Sequence, residues 1–110
     1  MSGTPIVQRQ WILGVLPDSV RIRCRYSRRG NQVLDYTVQM EMRVEDTWQP
    51  VVRYDNAHGF CHCDTIHPDG TQDKTRIFRG DANSNFTWAI KEIRASWQSQ
   101  QARFLSEIKP

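Results

Sequence analysis

Two runs decide the fold: Val20-Arg21-Ile22-Arg23-Cys24-Arg25-Tyr26 and, after a short break, Leu34-Asp35-Tyr36-Thr37-Val38-Gln39-Met40-Glu41-Met42-Arg43-Val44. In both, apolar side chains alternate with polar ones. Successive side chains of a strand point to opposite faces, so each run offers one face to a core and one to water. Between them, Ser27 to Gln32 carries Gly30-Asn31, residue types that accept the backbone of a tight turn. Together they read as a hairpin with one wet face.

Working outward, Glu45-Asp46 is a second turn and Trp48 to Tyr54 a third strand. Pro50 has no N–H to give a neighbour, which suggests a sheet edge or a strand start. Asn56 to Gly59 turns the chain again, Phe60 to His67 forms a fourth strand, and Pro68-Asp69-Gly70 closes it. Thr75 to Phe78 adds a short fifth. Residues 1–19 fit a short helix or a first strand equally well, ending at Pro17-Asp18. Near the C-terminus the period changes. Phe86, Ile90, Ile93, Trp97, Phe104 and Ile108 form the apolar stripe of one long helix, with Asp81, Asn83 or Ser84 as its cap and Pro110 at its end. Trp88 lies off that stripe and suggests an exposed contact. The expected fold is α+β: an antiparallel meander of four to five strands with a long C-terminal amphipathic helix on one face, as a single domain over residues 1–110.

The chain has 110 residues, 38% hydrophobic and 25% charged, which suits an ordered globular protein with one core. No apolar run approaches the roughly 20 residues of a membrane span, and Trp11 to Leu16 lacks a signal-peptide pattern. Three cysteines, Cys24, Cys61 and Cys63, do not make a disulfide framework and read as free thiols of a cytoplasmic protein. A net charge of +3 permits nucleic-acid binding without requiring it.

All three histidines, His58, His62 and His67, fall within ten residues, among Arg53, Tyr54, Asp55, Asn56, Asp64 and Asp69. Strand parity puts His62 and Asp64 on one face, with Phe60 and Ile66. Cys61, Cys63, Thr65 and His67 take the other. One orientation sets His62 and Asp64 at the edge of the core; the reverse buries the cysteines. Either way a carboxylate neighbours an imidazole, as a structural hydrogen-bonded pair or as a catalytic one. Arg53 and Asp55 share a strand face. In a metal-independent ribonuclease, His58 and His62 would serve as proton acceptor and donor, with Arg53 on the phosphorane and Tyr54 in reserve. Zinc is disfavoured, since Cys61-His62-Cys63 on a strand sends its ligands to opposite faces. Arg21, Arg23, Arg25, Arg28 and Arg29 suggest a phosphate-tracking surface, for which the next strand offers only Asp35 and Glu41 as partners.

The stretch Arg53-Tyr54-Asp55-Asn56-Ala57-His58-Gly59, followed by His62-Cys63-Asp64 and His67-Pro68-Asp69-Gly70, resembles the TumE-type toxins of prokaryotic toxin–antitoxin modules. It looks closer still to a family of prokaryotic proteins carrying Arg-Tyr-Asp-x-x-His-Gly and His-x-Asp motifs. The toxin resemblance implies action on RNA or translation and silencing by an antitoxin protein with a DNA-binding domain; no cofactor is expected. It assigns the site to Arg53, Asp55, His58, His62 and Asp64. Where many such toxins have a second histidine, Asp64 stands here, which puts their activity in doubt for this chain. Three functions follow as expectations: an RNA-directed toxin, a binding module for nucleic acid or protein, and an oligomeric structural domain, a homodimer for example, with Arg53–Gly70 as a buried hub.

Overall fold

A computed structural model describes residues 3–77 and 80–108, with His58 described in its backbone alone. Six strands form one antiparallel sheet in chain order: β1 (Ile6–Leu16), β2 (Val20–Arg29), β3 (Gln32–Val44), β4 (Thr47–Asp55), β5 (His62–Ile66) and β6 (Gln72–Arg76). A 3-10 turn, Ala57–Gly59, precedes β5, and α1 (Ala82–Glu107) packs across β3 and β4. The meander and its single covering helix match the expected α+β class, with six strands rather than four to five. No helix among the described residues is long and apolar enough to cross a membrane.

The additional strand is β1. Its Val7, Trp11, Leu13 and Val15 are half-buried at alternate positions, but Ile6 and Ile12 are exposed. Apolar residues on both faces hide the period-2 signal. The fifth expected strand lies earlier, at Gln72–Arg76, and its expected end, Phe78, is outside the described residues, as is Pro110. Pro50 sits inside β4, an interior strand, opposite Glu41. The register slips there between Met40 and Glu41, and such an irregularity accommodates a residue that cannot donate to the ladder. Glu45 and Asp46 both take positive φ (50° and 66°), closing a two-residue hairpin between β3 and β4.

Between sheet and helix lie Val20, Ile22, Cys24, Tyr36, Val38, Met40, Val52, Tyr54, Ala89, Ile93 and Phe104. Full burial of an Ile or Phe side chain contributes about 1.5–3 kcal/mol. Trp11, Tyr26, Tyr36 and Phe86 meet edge-to-face at 5.5–5.9 Å, tying β1–β3 to the first turns of α1. Trp88, expected as an exposed contact, is half-buried: one side of it joins this layer against Tyr54 at 5.3 Å. Asp81 caps the helix by accepting from the Ser84 amide at 2.8 Å. Asn83 instead bridges to the β2–β3 hairpin, accepting from Val33 N and donating to the Asn31 carbonyl.

Candidate functional site

The helix covers one face of the sheet, and the polar strand positions fill the other. Register turns the alternation into rows. One runs Ile12–Arg23–Gln39–Arg53–Asp64–Lys74 across all six strands; the next runs Gln10–Arg25–Thr37–Asp55–His62–Arg76. The arginines of β2 and the Arg53–Asp64 motif, separate in the sequence, thus share one surface.

A continuous network links the first row. Lys74 Nζ lies 3.0 Å from Asp64 Oδ1, and Arg53 Nη1 lies 3.7 Å from Asp64 Oδ2. Arg53 Nε donates to Gln39 Oε1 at 2.8 Å, and Gln39 Nε2 donates to Glu41 Oε2 at 2.7 Å. Glu41 also accepts from Arg21 at 2.7 Å and from Arg23 at 3.1 Å. Burial alone would raise the Glu41 carboxyl, but the donors Arg21, Gln39 and Arg23 outweigh it and hold its pKa below the ordinary value. Arg25 pairs with Asp35 at 2.9 Å. Asp35 and Glu41 are therefore the cross-strand partners that the sequence offers.

His62 and Asp64 are 1% and 2% exposed although no helix lies over this face. The orientation is the one in which the cysteines turn toward the helix: Cys61 and Cys63 border the core, while on the open face Arg53 and Lys74 meet Asp64, and Asp55 and Phe60 meet His62. The His62 Nε2–Asp55 Oδ1 distance is 2.7 Å, and Asp64 Oδ2 is 3.9 Å from the same nitrogen. Asp55 also accepts from the Ala57 amide at 3.0 Å, which fixes its rotamer at the entry to the 3-10 turn. Phe60 flanks the His62 ring at 5.6 Å.

Guanidinium–aromatic contacts stand at the two ends of the surface. Arg21 lies over Trp48 at 4.1 Å, and Arg76 over Phe60 at 4.2 Å. Lys74 and Arg76 escaped the reading of the sequence, and Gln39, Trp48 and Phe60 were read only as strand residues, because joining them into one surface requires the register between strands. Arg28 and Arg29 lie away from the main row at the β2–β3 hairpin, where Arg28 donates to the Gly30 carbonyl. The side chain of His58 is outside the described residues.

Among the described residues, the metal-ligand types that converge are Asp55, His62 and Asp64, with one ligand atom each within 4.8 Å of the others. Arg53 and Lys74 already supply positive charge to Asp64. Cys61-His62-Cys63 does divide between the two faces, as strand parity requires. Burial pushes the Cys24 thiol up to about 11 and raises Cys63 as well, so neither is poised as a thiolate nucleophile.

His67 takes no part in this surface. Its Nδ1 meets Glu107 Oε1 at 2.9 Å and its Nε2 meets Asp73 Oδ2 at 2.7 Å, joining β5 to the end of α1 and to β6. Glu107 first, then Asp73, raises the His67 pKa, and His67 in turn lowers that of Glu107. A raised histidine pKa stabilises the fold fully below the unfolded value of about 6.5, and the contribution is lost as pH rises through the folded value. The melting-temperature difference between wild type and His67→Gln should therefore be largest in mildly acidic buffer and shrink as the solution becomes alkaline. A difference that does not change with pH contradicts a charged His67 bridge.

No curated protein and no solved structure matches the chain. A family model described as "Domain of unknown function (DUF7718)" matches residues 7–110, and the chain belongs to that family.

Proposed function

We propose that the open face of the sheet binds single-stranded nucleic acid, RNA in the first instance, through its phosphate backbone. The observation that carries this reading is a charge imbalance: Arg21, Arg23, Arg53 and Lys74 share only two carboxylates, Glu41 and Asp64. Those carboxylates hold the cations in fixed rotamers without cancelling them. Such preorganisation lowers the entropic cost of gripping phosphates. A flat sheet cannot enter a duplex groove as a helix does. It can support an extended strand, with the aromatic groups Trp48 and Phe60 within reach of unstacked bases. The resemblance to TumE-type toxins favours RNA over DNA and adds a cognate antitoxin as partner.

Fluorescence anisotropy with a labelled single-stranded RNA tests the reading. The logarithm of the binding constant should fall linearly with the logarithm of salt concentration, by about 0.7 per phosphate engaged. Arg23→Gln with Arg25→Gln should weaken binding across all sequences and flatten that slope by about 1 or more. Glu41 keeps Arg21 and Gln39 in this variant, so the fold is preserved. Absence of binding at low salt sinks the proposal.

A ribonuclease reading draws on the 2.7 Å Asp55–His62 pair beside Arg53. It ranks second because His62, at 1% exposure, reaches a 2′-hydroxyl only if the side chains above it move aside. Metal-independent cleavage of the RNA in the same assay, lost in His62→Gln, would reverse that ranking.

A further inference from the structure

At the Phe60–Arg76 end of the binding surface, a cleft of about 300 Å³ opens between the sheet and the start of α1. Phe60, Arg76, Asn56, Gly80, Asp81 and Asn85 are among the residues that line it. Asn85 is 5% exposed. Its Nδ2 donates to the Gly80 carbonyl at 3.4 Å, whereas its Oδ1 meets no hydrogen-bond donor among the described residues. Exchanging the two amide atoms would not help, because Oδ1 would then face the Gly80 oxygen. A buried acceptor left unmade costs about 1–3 kcal/mol, and this one lines a cleft large enough to admit a donor.

The surroundings select the kind of donor. The Asp81 carboxylate, fixed by the Ser84 amide at 2.8 Å, stands at the same cleft and repels a phosphate. Asn56 has its amide oxygen engaged by Tyr36 N and its amide nitrogen by the Leu34 carbonyl, both at 3.0 Å. It therefore does not satisfy Asn85. Gly80, at φ +44°, keeps the approach open, since a Cβ there would lie 3.1 Å from Ser84 Cβ and 3.8 Å from Asn85 Oδ1. The flat group at the mouth is Phe60, with the Arg76 guanidinium over its ring as a further stacking layer.

We propose that this cleft receives one nucleobase of the bound strand, stacked at the Phe60–Arg76 pair and donating an N–H from its pairing edge to Asn85 Oδ1. The inference rests on the RNA-binding reading and adds a base site to it. The phosphates are held by the cation row, and a single base is read at the end of the sheet.

The test compares single-stranded oligoadenylate, oligocytidylate and oligouridylate of equal length by anisotropy, with wild type, Asn85→Ala and Phe60→Leu. Adenine, cytosine and uracil each carry an N–H on the pairing edge, so the homopolymer that wild type binds most tightly shows which base the cleft takes. Asn85→Ala should weaken that oligonucleotide about 5- to 10-fold, the effect of one lost hydrogen bond, and leave the salt slope unchanged. Phe60→Leu should weaken it about tenfold through lost stacking. An unchanged affinity in both variants overturns the base site while the phosphate-binding reading stands. Failure of all three oligonucleotides to bind overturns both. Should Asn85→Ala melt at working temperature, Phe60→Leu alone decides, because that side chain is only half-buried.

Discussion

Arg103→Ala should destabilise the protein by about 3–5 kcal/mol, a large share of the roughly 5–15 kcal/mol that holds a domain folded. The guanidinium sits on the last turns of α1 and reaches under it to the sheet. Nη1 donates to the Ile66 carbonyl and Nη2 to the Val51 carbonyl, both at 2.9 Å. Nη1 also meets Glu107 Oε1 at 2.8 Å, and Nη2 meets Gln100 Oε1 at 3.0 Å. One side chain thus satisfies backbone oxygens of two residues whose own side chains are buried, and it holds the Glu107 that pairs with His67. Alanine leaves both carbonyls without this donor and detaches the helix end from β4 and β5. Lysine restores the charge but not the fork, so Arg103→Lys should recover less than half of the loss. Urea denaturation measures the difference, and a change below about 1 kcal/mol contradicts the clamp.

The second large effect concerns Asp64. Replacing either Arg53 or Lys74 by alanine leaves one cation beside the carboxylate, and each single variant should cost about 1 kcal/mol. Replacing both removes the two cations that meet a carboxylate at 2% exposure, and the loss should rise to roughly 3 kcal/mol. Adding Asp64→Asn to the double variant removes the buried charge and should return part of that stability. Strict additivity of the two single variants would mean that Arg53 and Lys74 do not share Asp64. The same experiment distinguishes a structural hub, as foreseen for Arg53–Gly70, from a set of independent surface charges.

Parts of the fold were legible because local signals agreed. In β2 and β3 the alternation of apolar and polar residues, the Gly30-Asn31 turn and the Glu45-Asp46 turn point to the same hairpins. The stripe on α1 was equally plain, and Asp81 caps it. β1 was ambiguous because Ile6 and Ile12 face the open side while Trp11 and Leu13 face the core. Pro50 argued for an edge because nothing local announces the slip at Met40/Glu41 that admits it into the interior.

The site was legible in pieces. Parity placed His62 with Asp64, but not which face they share, since Phe60 and Ile66 on one side and Cys61 and Cys63 on the other are all apolar enough to face a core. Parity also set His67 on the other face from His62, and it turns to the helix side, against Glu107. Joining Arg23 to Arg53, Asp64 and Lys74 required the register from β2 through β6, which slips at Ser27/Arg28 and at Met40/Glu41 shift. Asn85 gave no signal at all, because a polar residue in the first turn of a helix reads as ordinary there.

The central claim, that the cation row grips a single-stranded RNA, is tested most directly by NMR on the arginine side chains. Nε–Hε resonances of the nitrogen-15-labelled protein are followed while a short single-stranded RNA is added at low salt. The account predicts saturable shifts for Arg21, Arg23, Arg53 and Arg76, reversed by added salt, with Arg103 unmoved beneath the helix. Silence from all four at saturating RNA, or shifts confined to the helix side of the sheet, would contradict it.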